Sequence, residues 1–271
     1  MSAPERLPGI TLRGYEPGDE GAILEAFNRV FAGAHPGFEP RTMGHWRWSN
    51  LENPSGTRIR LAVSDDGRIA AHVSGIAQRA LIRRQPGHLS QSVDGFSDPD
   101  WSRALKRPGI YARTLNSFNR TYAGPAPEGD TFVWGLPVEN AWRIGQAFCK
   151  EKLIRTQNKL SAPPDGTHLC PGGRIEVDEV ERFPEAAEDL FERAARPHGA
   201  IAVRDAPQLD WRFTRHPRNR YQIALARRGD VLVGFAAFRT GTYDGREDGL
   251  VCDWLVWLME TKDFSSAGPI F

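Results

Sequence analysis

Arg107-Pro108-Gly109-Ile110-Tyr111 is the stretch of this 271-residue chain whose residue types best suit a bound anion. A helix beginning near Ile110 presents unpaired backbone N–H groups and about half a positive charge at its N-terminus, which fits a phosphate or pyrophosphate. Pro108 has no N–H to donate but pre-sets the first helical turn. Gly109 lets a ligand approach the backbone with no Cβ in the way. Residues 79–159 carry 13 Lys/Arg against 7 Asp/Glu, a local positive excess in a chain whose formal net charge is +1.

Other chemistries find less support. The chain has no G-x-S-x-G nucleophile turn, no P-loop, and no G-x-G-x-x-G after a strand. Cys149, Cys170 and Cys252 are odd in number and widely spaced, unlike a disulfide scaffold or paired zinc ligands. His168 beside Cys170 supplies only two ligands in a Pro/Gly-rich loop, so no metal is expected. A reducing cytoplasm is the simplest compartment. Met1–Arg6 lacks an apolar signal-peptide core, and no run of about 18 apolar residues occurs, so no membrane partner is expected. The near-neutral total argues against a dedicated nucleic-acid binder. With 40% hydrophobic and 25% charged residues the chain reads as globular. Its length fits one large domain or two ordinary ones.

The elements that position these residues show a faded repeat. His45-Trp46-Arg47-Trp48 is echoed by Asp210-Trp211-Arg212-Phe213. Each is followed by an Asn/Pro turn, a strand-like run, a glycine turn (Asp65-Asp66-Gly67-Arg68 and Arg227-Arg228-Gly229-Asp230) and a second run. These patterns read as β-hairpins over Arg58–Ala80 and Tyr221–Phe238. Aromatic rings repeated at one structural position point to packing, not to stacking on bases or sugars. Each half opens with a strand, then a helix: Ile10–Arg13 before Glu20–Ala32, and Ile175–Val177 before Glu185–Ala195. Pro/Gly-rich residues 161–173 read as a linker between a domain over 1–160 and a partial one over 174–271. Only 18 residues follow Asp253, too few for a loop, a helix and a further strand.

The order of strand, Pro17-Gly18-Asp19 turn, helix and hairpin resembles the opening of the GNAT (N-acetyltransferase) superfamily. Gly14–Asp19 looks like that family's R-x-x-x-x-D start. Ser90–Trp101 is similar to its fourth strand, Arg107–Arg113 to its acyl-CoA pyrophosphate loop and following helix, and Thr131–Ala141 to its fifth strand and the start of its fourth helix. The resemblance covers residues 8–160 in full and 174–256 in part. It implies an α/β fold with a mixed, mostly antiparallel sheet flanked by helices, duplicated in the partial second half.

The resemblance also implies an activity: transfer of an acetyl or other acyl group from coenzyme A to an amine on a small molecule or peptide. Backbone N–H groups of Gly95, Phe96 and Ser97 would polarise the thioester carbonyl. Arg107, Gly109, Ile110, Tyr111 and Asn140 would complete the cofactor site, and Asp94 or Glu139 would serve as base. His72, on the third strand, is a weaker candidate. Where the family often places a proton-donating tyrosine stands Phe148, which has no proton to give. Ser97 or Tyr111 are the hydroxyls that could replace it. The loop departs from the family pattern too, with Gly109 as its one well-placed glycine and an insertion over Ser102–Lys106. These departures leave a second reading open, a binding or regulatory module without catalysis.

Overall fold

The computed structural model describes residues 4–34, 36–102, 108–125, 129–158, 160–161, 175–243 and 245–257. They form two units. The first holds the described residues up to 161 together with Gly199–Val203; the second holds those from 175 to His198 and from Arg204 onward.

The first unit runs β1 (Glu5–Leu7), β2 (Ile10–Gly14), α1 (Glu20–Ala34), α2 (Met43–Asn50), β3 (Thr57–Ser64), β4 (Ile69–Ile82), β5 (Gln85–Ser97), α3 (Pro99–Ser102), α4 (Ile110–Tyr122), β6 (Asp130–Trp134) and α5 (Glu139–Cys149). Its sheet has the order β1-β2-β3-β4-β5-β6. Every pair on that path is antiparallel except β5 with β6, which is parallel. Apolar alternation gives the sheet two buried faces. On one, α1 and α2 bring Ile23, Phe27 and Trp46 against Ile59, Leu61 and Phe96. On the other, α4 brings Ile110, Ala112, Leu115 and Phe118 against Ala62, Ala70 and Val73. Arg13 closes the turn before α1 by donating to both carboxylate oxygens of Asp19 at 2.7 and 2.8 Å.

The second unit runs β7 (Glu176–Val180) and α6 (Ala186–Ala194). After β8 (Ala200–Ala202), which lies in the first unit, it continues with α7 (Ala206–Leu209), a π turn at Asp210–Thr214, β9 (Gln222–Arg228), β10 (Val231–Tyr243) and β11 (Arg246–Val256). Its sheet, β11-β10-β9-β7, is antiparallel throughout. Gly67 and Gly229, at φ +83° and +57°, make the turns of the β3–β4 and β9–β10 hairpins, where a side chain is disfavoured. Trp46 and Trp211 are both almost fully buried, each on a helical segment ahead of its hairpin.

Two expectations need amendment, and a third falls outside what the structure describes. The fourth strand of the first half ends at Ser97, because Pro99–Ser102 turns helical after the buried Asp98 carboxylate caps the Asp100 N–H. Gly199–Val203, expected in the second half, supplies β8 to the first unit's sheet, pairing with Ala80–Ile82 of β4. Of the expected linker over 161–173, all but Ser161 lies outside the described residues, as do Arg107, His168 and Cys170.

Candidate functional site

The site begins where two strands part. β5 and β6 are in register from His88 opposite Asp130 to Gln91 opposite Trp134. Beyond Gln91, β5 continues to Ser97 without a β6 partner. Gly135 stands at the parting, where a Cβ would approach the Ser92 carbonyl to 3.4 Å. Near the end of β5 stand the first turn of α4 and the last turns of α5. Together they line a cleft of about 150 Å³ with Ser97, Gly109, Ile110, Tyr111, Ala112, Ile144 and Phe148.

Gly109 is the extended residue before α4 and has no side chain to cap it. The first N–H groups of a helix have no partner within it, and Gly109–Ala112, where α4 begins, line the cleft. Among the described residues, its chain neighbours apart, no atom lies within 4 Å of where a Gly109 Cβ would stand. Arg113 is tied back by an Nε bond to the Pro108 carbonyl at 2.9 Å, which fixes the turn. Asn116 donates to the Phe148 carbonyl at 3.0 Å and so holds α5 on α4.

β5 carries a bulge beside the cleft. Its ladder with β4 runs Ser74 opposite Val93 and then His72 opposite Phe96, so Asp94 and Gly95 together face Val73. Asp94 adopts φ +53°. A bulge leaves backbone polar groups outside the ladder and re-aims the strand. The Arg41 guanidinium grips both Asp94 oxygens and stacks 4.1 Å over the Phe27 ring. Asn28 holds Arg41 in turn, accepting from its N–H at 2.8 Å and donating to its carbonyl at 3.1 Å. His72 Nδ1 lies 2.8 Å from the Asp94 carbonyl. A carbonyl only accepts, so Nδ1 carries the proton and the buried Nε2 is left an acceptor without a partner among the described residues. Burial pushes the His72 pKa down, and its ring stacks on Phe96.

On the cleft side, burial pushes the Tyr111 phenol up to about 12 and the Cys149 thiol up to about 11. The Glu151 carboxylate, laid against Gly145, is also raised by burial.

The structure therefore brings Ser97, Gly109, Ile110 and Tyr111 into one wall. Gly95 is exposed on the bulge, while the Phe96 ring is buried on the opposite face against Phe27, leaving only its backbone for a ligand. Asp94 is held at the bulge by Arg41. Glu139 and Asn140 are exposed in the first turn of α5, outside the cleft wall, and Glu139 pairs with Arg143 at 2.5 Å. Arg41 and Ile144 had no signal in the sequence: Arg41 lies 53 positions from Asp94, and Ile144 reads as ordinary helix packing. Among the described residues no group of three metal-ligating side chains occurs, and no helix is long and apolar enough to cross a membrane.

No protein-family model matches the sequence, and no curated protein does. Solved structures do match in fold. A conserved Enterococcus faecalis protein of unknown function, designated a probable N-acyltransferase, aligns with TM-score 0.58 at 10% identity over 92% of this chain and 59% of its own. A GCN5-related N-acetyltransferase from Anabaena variabilis gives the same values. Saccharomyces cerevisiae N-myristoyltransferase with bound myristoyl-CoA aligns with TM-score 0.51 at 9% identity, over 94% of this chain and 68% of its own. The chain thus spans about three-fifths of the length of the first two. In fold, at 10% sequence identity, the chain is GNAT-like, similar to these N-acyltransferase structures.

Proposed function

We propose that the chain is an acyl-CoA-dependent N-acyltransferase, moving an acetyl or other acyl group from coenzyme A to an amine on a small molecule or peptide. The observation that carries this is the cleft that the first turn of α4 shares with Ser97 at the end of β5. In this reading Gly109, Ile110 and Tyr111 hold the pyrophosphate by backbone N–H groups. The thioester runs into the gap beside Ser97, and backbone N–H groups at the bulge polarise its carbonyl as negative charge builds on the oxygen. The amine attacks the carbonyl carbon directly and needs a base to keep it neutral. Asp94, in the bulge next to Gly95, and Glu139, in the first turn of α5, are the candidate bases; each is ion-paired, with Arg41 and Arg143, and must leave that pairing to take a proton. Asn140 and Arg107 remain candidates for contacts to the rest of the cofactor. The unpaired thiols Cys149 and Cys252 fit a reducing compartment such as the cytoplasm.

The test is calorimetric titration of the full chain with acetyl-CoA and myristoyl-CoA, followed by thiol release in the presence of a panel of primary amines. Binding of a thioester with amine-dependent release supports the reading, and failure to bind either thioester overturns it. Binding without release favours a module that holds acyl-CoA without turning it over, a second reading motivated by the phenyl ring of Phe148 in the cleft wall.

A further inference from the structure

Tyr111 and Phe148 line the same cleft from different helices. The Tyr111 side chain crosses from the first turn of α4 to the bulge on β5. Its hydroxyl lies 2.8 Å from where a Gly95 Cβ would stand, so it occupies the space that glycine leaves empty. That is the bulge to which the acyl carbonyl is assigned above. Burial, with the Glu151 and Cys149 groups nearby, raises the phenol's pKa. Phe148, from α5, contributes a phenyl ring and no donor.

We propose that Tyr111 donates the hydrogen bond that stabilises the departing thiolate, supplying from α4 the hydroxyl that Phe148 cannot supply from α5; this rests on the acyltransferase reading. The amine lone pair forms the new C–N bond, and the C–S bonding pair leaves on sulfur. The proton lost by the nitrogen ends on that sulfur, so amide and free thiol are the products. Tyr111 keeps its own proton throughout. A phenol held near 12 is a far weaker acid than a thiol of ordinary pKa about 8.5, so it donates a hydrogen bond to the anion and does not ionise. Gly95 belongs to the same device, because any side chain there takes the hydroxyl's place.

The experiment compares the full-length wild type, Tyr111→Phe, and the double variant Tyr111→Phe with Phe148→Tyr. Acetyl-CoA affinity is measured by calorimetry, and turnover by thiol release at saturating acetyl-CoA with the amine that wild type uses best. Tyr111→Phe is expected to lower kcat by about 100-fold, the usual loss for one donor to developing charge, with acetyl-CoA affinity within about twofold. The double variant is expected to recover about tenfold, a rescue that a purely structural tyrosine does not permit. Unchanged kcat in Tyr111→Phe overturns the proposal. So does a parallel loss of affinity and turnover, or a double variant no faster than the single. A wild type that binds no thioester overturns the acyltransferase reading instead, and the two failures are told apart by the wild-type titration.

Discussion

Single residues in this chain separate into those that support the site and those that face a ligand. Gly109 is of the second kind. A Cβ there meets none of the described residues beyond its chain neighbours, and φ −65°, ψ 173° is open to any side chain. Gly109→Val is therefore expected to leave the denaturation midpoint within about 1 kcal/mol of wild type while weakening acetyl-CoA at least about tenfold; unchanged affinity in calorimetry removes the pyrophosphate from this turn. His72 is of the first kind. Its folded pKa lies below the ordinary 6.5, so the folded chain binds fewer protons than the unfolded one, and its contribution to stability is present above pH 6.5 and lost as pH falls below it. His72→Asn keeps a donor for the Asp94 carbonyl without a titrating ring. Urea midpoints at pH 7.5 and 5.5 are expected to lie closer together in that variant than in wild type. The Gly109 turn was legible in the sequence because helix starts are written in adjacent residues. The Arg41–Asp94 clasp was not, since its partners are brought together only by the α1–α2 connection folding over the bulge.

Elements show the same division. The hairpins at β3–β4 and β9–β10 were readable because a glycine turn sits between alternating apolar runs. The β4–β5 turn was not, because its positive-φ residues are Arg83 and Arg84, at φ +50° and +66°, where sequence patterns call for Gly or Asn. The close approach of α4 to the sheet was likewise hidden. A Cβ on Gly75 lies 2.8 Å from the Phe118 ring and 2.5 Å from the Ser90 hydroxyl. Gly75→Ala is thus expected to cost about 1–3 kcal/mol by overpacking, read from denaturant unfolding. The two buried tryptophans offer a paired test. A strand, a helix, a tryptophan-bearing helical segment and three strands follow in that order in both units, with the short α7 added in the second. If Trp46 and Trp211 are equivalent packing positions, Trp46→Ala and Trp211→Ala each cost about 3–5 kcal/mol. A loss below about 1 kcal/mol at either breaks the equivalence.

At the scale of the whole molecule, β8 is the feature no local pattern announces. β5 occupies one edge of β4, so Ala200–Ala202 takes the other, in line with β3. Backbone bonds from Arg83 to Gly199 and from Val203 to Arg79, both 2.7 Å, bracket it. Alternation in an antiparallel ladder makes Leu81 and Ile201 the hydrogen-bonded pair between them. Ile201→Pro removes that donor and is expected to cost about 2–3 kcal/mol. A sequence of three apolar residues between helices carries no record of which sheet it joins.

During synthesis this strand arrives late. Leu81 and Ile201 are paired in the finished sheet although the ribosome makes them 120 positions apart, which at about 5–20 residues per second is on the order of ten seconds. For that interval the Ala80–Ile82 edge of a nearly complete sheet stands open, and open edges pair with whatever strand is near. Ribosome-arrested chains ending near residue 190 should therefore be cut by protease within β4 and β5, whereas those with residues 199–203 clear of the exit tunnel should resist.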